Sequence, residues 1–411
     1  MKRILIFVFL CLLITKSVAQ NHLLSDSVRI SLITCSPGEE IYARYGHSAM
    51  RVCDPSKGVD LVFNFGVFNF NTDNFVFKFI KGETDYVLAV YDFNTFLPEY
   101  RERNSTVWEQ VLNLSVAEKK ELVRLLFENN QPENRVYRYN FIYDNCATRP
   151  RDKVLESLDG KVIYKTAPLY KTFREWVGEY IGYDTWMKFG IDIVFGAESD
   201  KQASRNASMF LPVELMEQMQ DAVVMEDNGL QKKLVKNDRI LVESVSVGKP
   251  EHNLQIKPIT VALSLFVLSL VLTLAGIRKR RHFRWFDSLL FFVSGAAGCI
   301  VFYLMFFSLH PMVRENLNLL WLSPLNLIAA VVVWIKPIRD QFSYYMLLFG
   351  LSLLTVFVLF PLQVQGFNIA FLPLIGTLLI RTGTWLYLNQ KHCPVFVKIK
   401  KYKRSTKQNF Y

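Results

Sequence analysis

Cysteine is scarce in this chain, six in 411 residues, and histidine is equally so. Between Gln20 and Lys257 only Cys35, Cys53 and Cys146 occur, and an odd number excludes a fully paired disulfide framework: at least one thiol there stays unpaired within the molecule. Acidic residues are outnumbered, 37 against 48 basic, for a net charge of +11. Yet there is no helix-turn-helix, zinc-finger or RNA-binding signature, and much of the basic excess lies in loops and a tail beside apolar segments, where topology and anionic headgroups account for it. Nucleic acid is therefore not expected as a partner. Internal repeats and low-complexity tracts are missing as well, which argues against a solenoid or a disordered linker protein.

Before Pro258 the one long apolar run is Ile4 to Ile14, too short to cross a bilayer. Lys2 and Arg3 precede it and the small residues Ser17-Val18-Ala19 follow, the pattern of a secretory signal peptide cleaved after Ala19. Cys11 leaves with that peptide, since Leu10 before it is too large for a lipid-modification cleavage box. From Pro258 the composition turns mostly apolar. Five spans are expected, Ile259 to Ala275, Leu289 to Leu309, Leu317 to Ile335, Tyr344 to Phe360 and Ile369 to Leu388, each long enough to cross the ~30 Å hydrocarbon core.

The loops then orient the chain. Arg278, Lys279, Arg280, Arg281 and Arg284 follow the first span, Lys336 and Arg339 the third, and the Lys-rich tail from Lys391 the fifth, whereas the alternate loops carry only Arg314 or no basic residue. The positive-inside rule puts everything before Pro258 outside and the C-terminus in the cytoplasm. The expected organisation is a signal peptide at 1–19, a periplasmic catalytic domain at 20–257, a transmembrane domain of five helices at 258–390 and a basic cytoplasmic tail at 391–411. Arg381 falls inside the fifth span, where snorkelling to the cytoplasmic face is the expected relief for its charge.

The exported stretch reads as α+β. Alternating runs at Val28 to Leu32, His47 to Val52, Asp60 to Phe70, Leu88 to Phe93 and Val107 to Leu114 predict strands. Ser115-Val116-Ala117-Glu118 has capping-box spacing and opens an amphipathic helix through Leu122, Leu125 and Leu126. Arg135 to Ile142 reads as a strand running into Asp144-Asn145-Cys146.

Cys146 is the candidate nucleophile. A helix running through Val154 and Leu155 must carry Pro150 in its first turn, so Cys146 sits at or just before a helix N-terminus, where free amides and the helix dipole favour a thiolate. Cys35 and Cys53 flank the His47 segment, and an oxidising compartment would let them bridge. His22 and His252 lie at the domain's ends, which leaves His47 as the base a thiol nucleophile needs.

Thr34-Cys35-Ser36-Pro37-Gly38, Tyr45-Gly46-His47-Ser48-Ala49-Met50-Arg51-Val52, Asn64-Phe65-Gly66-Val67-Phe68, Asp144-Asn145-Cys146-Ala147-Thr148-Arg149-Pro150-Arg151-Asp152 and Met209-Phe210-Leu211-Pro212 together resemble the Lnb family of lipoprotein N-acyltransferases of diderm bacteria, over nearly the whole mature chain. The resemblance implies a circularly permuted papain-like domain, of the NlpC/P60 and lecithin:retinol acyltransferase kind, in which His precedes Cys. It implies a third polar residue on the strand after the histidine to orient the ring, for which Asn64 and Asp60, on one face of that strand, are both candidates. Tyr45, Asn145 and Arg149 beside the pair, and His310, Arg314 and Asn316 near the exported ends of spans two and three, are candidates for substrate contact. So are Asn318 and Asn326, and Arg151 close to the nucleophile.

The implied chemistry moves a fatty acyl chain from a membrane phospholipid onto Cys146 as a thioester, with amides at the helix start holding the oxyanion, and then onto the N-terminal amine of a diacylated lipoprotein in the inner membrane. No metal or other cofactor is expected. Two rivals remain at this point: a periplasmic cysteine hydrolase acting on peptidoglycan peptides or lipids, and a non-catalytic lipid-binding membrane sensor.

Overall fold

The computed structural model describes residues 25–40, 43–68, 73–165, 170–226, 229–245 and 256–390; the expected signal peptide and basic tail lie outside these residues. In chain order the elements are β1 (Arg29–Cys35), β2 (His47–Asp54), β3 (Val59–Val67), α1 (Phe75–Lys81), β4 (Asp85–Asp92), α2 (Phe93–Glu102), β5 (Val107–Leu112), α3 (Val116–Asn129), β6 (Val136–Arg138), α4 (Thr148–Ser157) and β7 (Lys161–Tyr164). There follow α5 (Phe173–Ile181), α6 (Trp186–Val194), α7 (Arg205–Ser208), α8 (Pro212–Gln220), β8 (Ala222–Met225), β9 (Gln231–Lys233) and β10 (Val235–Val242). The apolar part holds α9 (Pro258–Lys279), α10 (Arg284–Phe307), α11 (Asn326–Val332), α12 (Arg339–Leu359) and α13 (Phe371–Leu388).

These elements make two compact units that interleave along the chain. One comprises the chain up to Phe75, Glu83–Tyr170 and Ala203–Gly248; the other takes Val76–Gly82, Lys171–Gln202 and everything from Lys249. The division therefore does not fall only at the expected Lys257/Pro258 boundary.

The first unit is α+β. Its main sheet has seven strands in the order β10-β5-β1-β2-β3-β4-β6, every neighbouring pair antiparallel. Alternation along β1, β2 and β3 loads both faces with apolar side chains, so both must be covered. Ile33, Cys35, Ala49 and Val62 pack under Phe93, Phe96 and Tyr100 of α2. On the opposite face Ile30, Leu32, Met50, Val52, Phe63 and Phe65 meet Leu122 and Leu126 of α3, Val154 of α4 and Leu215 and Met219 of α8. At about 1.5–3 kcal/mol for each fully buried large side chain, this sandwich dominates the unit's stability. The capping box opens α3 as its spacing predicts, with Ser115 Oγ accepting from Glu118 N and the Glu118 carboxylate accepting from Ser115 N.

Register overturns the expected disulfide. Cys35 lies opposite His47 and Cys53 opposite Arg29, at the two ends of the β1–β2 hairpin. At ~3.3 Å per residue that separates them by about 20 Å, against the roughly 7 Å limit between α-carbons that a disulfide tolerates. Both thiols are free and buried.

In the second unit α9, α10, α12 and α13 are long and apolar enough to cross a membrane. The expected third span, Leu317 to Ile335, is not one continuous helix. It is a 3-10 turn at Leu317–Leu320, a bend, and the seven-residue α11. Seven residues rise only about 10 Å, a third of the hydrocarbon core. The cause lies on α10, where a Cβ at Gly298 would fall 2.0 Å from the Leu322 carbonyl oxygen and one at Gly295 would fall 2.4 Å from Leu327 N. The bent backbone thus lies directly on a glycine face, with Pro324 unable to donate to a helical ladder at the break. Arg381 does not snorkel: its guanidinium reaches Asp287 of α10 at 2.7 and 3.1 Å and Thr273 of α9 at 2.9 Å, inside the bundle.

Residues 171–202 join this unit through a buried polar cluster. Arg174 of α5 binds Asp192 of α6 at 3.0 Å and Asp200 at 2.7 Å, Lys188 also binds Asp192, and Asn368 donates to Asp192 at 3.0 Å. Asn316 and Asn318, both buried, donate to the backbone carbonyls of residues 192–194. Asn326 is buried between Ser294 and Tyr345. The expected role of Asn316, Asn318 and Asn326 as headgroup contacts is therefore corrected: their amides are occupied inside the unit.

Candidate active site

His47 is aimed by the residue before it. Gly46 has φ +78°, and a Cβ there would stand 2.6 Å from the Cys35 carbonyl oxygen, so only glycine lets the chain turn into β2 at this point. Pairing between β2 and β3 starts at Met50↔Phe63 and runs away from His47, which leaves residues 47–49 without partners in β3. β3 itself slips register against β4 between Asn64 and Val67, with Gly66 at φ +93°. Cys146, just ahead of α4, stands at this open end, its Cβ 3.5 Å from the place a Gly66 Cβ would take.

The ring of His47 is held by Asn64, whose Oδ1 lies 2.6 Å from Nε2. An amide oxygen only accepts, so Nε2 carries the proton and Nδ1 keeps its lone pair. Asn64 is in turn fixed by Tyr91, to which its Nδ2 donates at 2.5 Å, and Tyr100 of α2 stacks on the imidazole. Asp60, the rival candidate, is committed elsewhere: both its oxygens bind Arg51, at 2.7 and 2.6 Å. Although the two share a strand face, four residues separate them by about 13 Å, and only Asn64 is level with the histidine.

Electrostatics departs from expectation. Burial pushes the Cys146 thiol up to about 11, outweighing the amides of Ser48 and Cys146 that favour the thiolate. Burial also holds the His47 imidazole down to about 4, against the opposing hydrogen bond from Asn64. A neutral thiol and a neutral imidazole therefore coexist at pH 7, and no hydrogen bond joins them among the described residues. The expected helix-start thiolate is thus opposed by burial, and Asn145 takes two of the free amides at the helix start. Its Oδ1 accepts from Ala147 N at 2.8 Å and Thr148 N at 2.9 Å, capping α4 from one residue ahead of the cysteine. Its Nδ2 donates to the Phe141 and Phe210 carbonyls at 2.7 and 2.8 Å. Asn145 is thus a buried structural knot with no group left for substrate, which also explains why the Asn145-Cys146 and Met209-Phe210 motifs belong together.

A neutral pair has a measurable signature. Alkylation of Cys146 by iodoacetamide in the full-length protein, followed on its own peptide by mass spectrometry, is expected to quicken about tenfold per pH unit from pH 6 to 9 with no plateau, since the thiolate fraction climbs that way below the thiol's pKa. A rate already flat from pH 5 upward would mean a preformed thiolate–imidazolium pair instead.

Tyr45 packs on Phe141 at 4.7 Å between ring centroids, and burial raises its phenol. Arg149 does not bind Asp152 but both oxygens of Asp144, at 2.6 and 2.9 Å, and its guanidinium lies 3.5 Å from the Tyr137 ring centroid. Arg151 takes Asp152 and the Asn206 carbonyl. Tyr45, His47, Asn64, Asn145, Cys146 and Arg149 thus come together in the first unit. His310 and Arg314 lie in the second, beyond the end of α10, the first half-buried and the second exposed, with His310 Nε2 donating to the Phe79 carbonyl at 2.8 Å. Sequence reasoning missed Tyr91, Tyr100 and Tyr137, although the alternation Tyr137-Arg138-Tyr139 before the cysteine is a signal that could have flagged an aromatic wall. Among the described residues no cluster of His, Cys, Asp or Glu is arranged to hold a metal.

Two family models match the chain, the Lnb N-terminal periplasmic domain over residues 15–177 and the Lnb transmembrane domain over residues 249–392. The chain belongs to the Lnb family. The Lnb periplasmic match takes in every residue of the Cys146 and His47 site and ends within α5. The Lnb transmembrane match encloses α9 to α13, and the protein is accordingly a membrane protein of lipoprotein processing with a periplasmic N-terminal domain. No curated protein and no solved structure matches the chain.

Proposed function

We propose that this protein is a lipoprotein N-acyltransferase of the inner membrane, its C-terminus cytoplasmic, working through a Cys146 thioester in a circularly permuted papain-like domain. The observation that carries the reading is the His47–Asn64 pair, with Nδ1 free to act as base, beside a half-buried thiol in a chain that also carries membrane-crossing helices. Because the thiol is neutral, His47 acts as a general base in the attacking step rather than as a standing counter-ion. Nδ1 takes the thiol proton as Sγ adds to a phospholipid ester carbonyl; collapse expels the lysophospholipid alkoxide, which recovers the proton from His47. The amine of an S-diacylglyceryl-cysteine then attacks the thioester, and passage to the more stable amide drives the transfer forward. Order along the chain supports the permuted fold, with the histidine on a strand ahead of the cysteine's helix.

The test is a wild-type protein in vesicles containing a phospholipid labelled in its acyl chain. A hydroxylamine-sensitive labelled protein should form, and should empty when a diacylated lipopeptide is added, with the label recovered as amide. Label released mainly as free fatty acid in the presence of the lipopeptide would support the hydrolase; neither acyl-protein nor product would support the sensor.

A further inference from the structure

Tyr137 lies on β6 with its side chain 6% exposed, and its hydroxyl has no hydrogen-bond partner among the described residues. An orphaned buried hydroxyl destabilises the fold, a cost that phenylalanine at the same place would avoid. The ring is held firmly: the Arg149 guanidinium covers it at 3.5 Å, and Asp144 fixes that guanidinium through two bonds. The hydroxyl also stands close to the nucleophile. Tyr137 Oη lies 3.9 Å, and Cys146 Cβ 3.5 Å, from one and the same point, the vacant Cβ position of Gly66. Meanwhile two of the donors that a helix start would offer to an oxyanion are spent, since the Ala147 and Thr148 amides both go to Asn145, which leaves the Cys146 amide as a backbone donor to share the charge with a side chain.

We propose that the Tyr137 hydroxyl is the side-chain oxyanion donor of this site, hydrogen-bonding the carbonyl oxygen as it gains negative charge under attack by Cys146. The inference rests on the thioester reading above. As Sγ bonds to the carbonyl carbon, the C=O π electrons move onto oxygen; Tyr137 O–H hydrogen-bonds that oxygen and keeps its own proton. When the pair of electrons returns, the carbon–alkoxide bond breaks and the alkoxide leaves with the proton held by His47. The second half passes through the same oxyanion when the amine attacks the thioester. Burial keeps the phenol well above its usual range, so the donor stays protonated wherever the enzyme works, while Arg149 over the ring pulls in the opposite direction and sharpens its O–H. Gly66 then has a second purpose besides its positive φ: any side chain there would fill the space the oxyanion needs.

The experiment is Tyr137→Phe in the full-length protein, which keeps the ring and removes only the hydroxyl. Lipopeptide acylation should lose about 10²–10³-fold in kcat with KM unchanged. The Cys146 alkylation rate should match wild type at every pH, and the thermal midpoint should stay level or rise, because an unsatisfied group has gone. Acylation within about threefold of wild type would overturn the proposal. So would a loss of rate mirrored by an equal loss of alkylation or of thermal stability, which would make the hydroxyl an aid to the thiol or to the fold. If the wild type instead hydrolyses lipid, the acceptor assignment fails, yet the Tyr137 comparison is read on hydrolysis, which passes through the same oxyanion; a Tyr137→Phe protein hydrolysing at the wild-type rate overturns it there as well.

Discussion

Cys146→Ala is expected to form no acyl-protein and to lose lipopeptide acylation by about 10⁴-fold or more, the scale on which removal of a covalent nucleophile is felt. No neighbouring thiol can stand in, because Cys35 and Cys53 are buried and the second of them lies at the far end of the β1–β2 hairpin. His47→Ala should fall nearly as far. With the thiol raised to about 11, little thiolate exists at pH 7 without a base, so the two residues act as a unit and their losses will not add. Cys146→Ser keeps the geometry but offers a hydroxyl harder to ionise than the thiol, and should accumulate a slow, hydroxylamine-resistant ester. Acylation measured by the mass of the N-terminal lipopeptide decides the matter: full activity in Cys146→Ala would remove the nucleophile from the scheme.

Asn145→Asp is expected to destabilise the first unit by about 2–6 kcal/mol, from two buried carbonyls, those of Phe141 and Phe210, losing their donor at about 1–3 kcal/mol each. The carboxylate can still accept from Ala147 and Thr148, so the α4 cap survives and the loss isolates the Nδ2 side of the knot. For a unit of this size the thermal midpoint should drop by about 5–20 °C, followed by circular dichroism of the whole protein in detergent. Acidification separates the causes. A protonated aspartic acid regains one donor, so the deficit relative to wild type should shrink as pH falls; a deficit unchanged by pH would show that packing, not hydrogen bonding, was lost.

The sequence is legible where a single local rule governs. The capping box at Ser115 and the alternating strands each depend on neighbours a few residues away, and each appears in the fold. What stayed hidden depends on partners far along the chain. Asp287 lies 94 residues from Arg381, and nothing local distinguishes a snorkelling arginine from a paired one. The break in the third apolar segment is dictated by Gly295 and Gly298 on another helix, so an apolar run through Pro324 reads as continuous until the glycine face is known. The Cys35–Cys53 expectation failed on register, since flanking the same segment places two residues at opposite ends of a hairpin rather than side by side. At Asn145 and Asn316 the residue type was right for a polar site, but only the backbone carbonyls around each show that its amide is already occupied.

The interleaving of the two units sets a timetable for biogenesis. Phe189 and Ile193 of α6 pack against the same core as Phe371 and Ile375 of α13, yet α6 is made long before α13 has been synthesised. At about 5–20 residues per second, translation from Phe189 to Leu388 takes about 10–40 s, during which that apolar surface must wait uncovered. A chain stalled ahead of α13 would therefore present Phe189 and Ile193 without the Phe371 ring and the rest of the core that covers them in the finished fold.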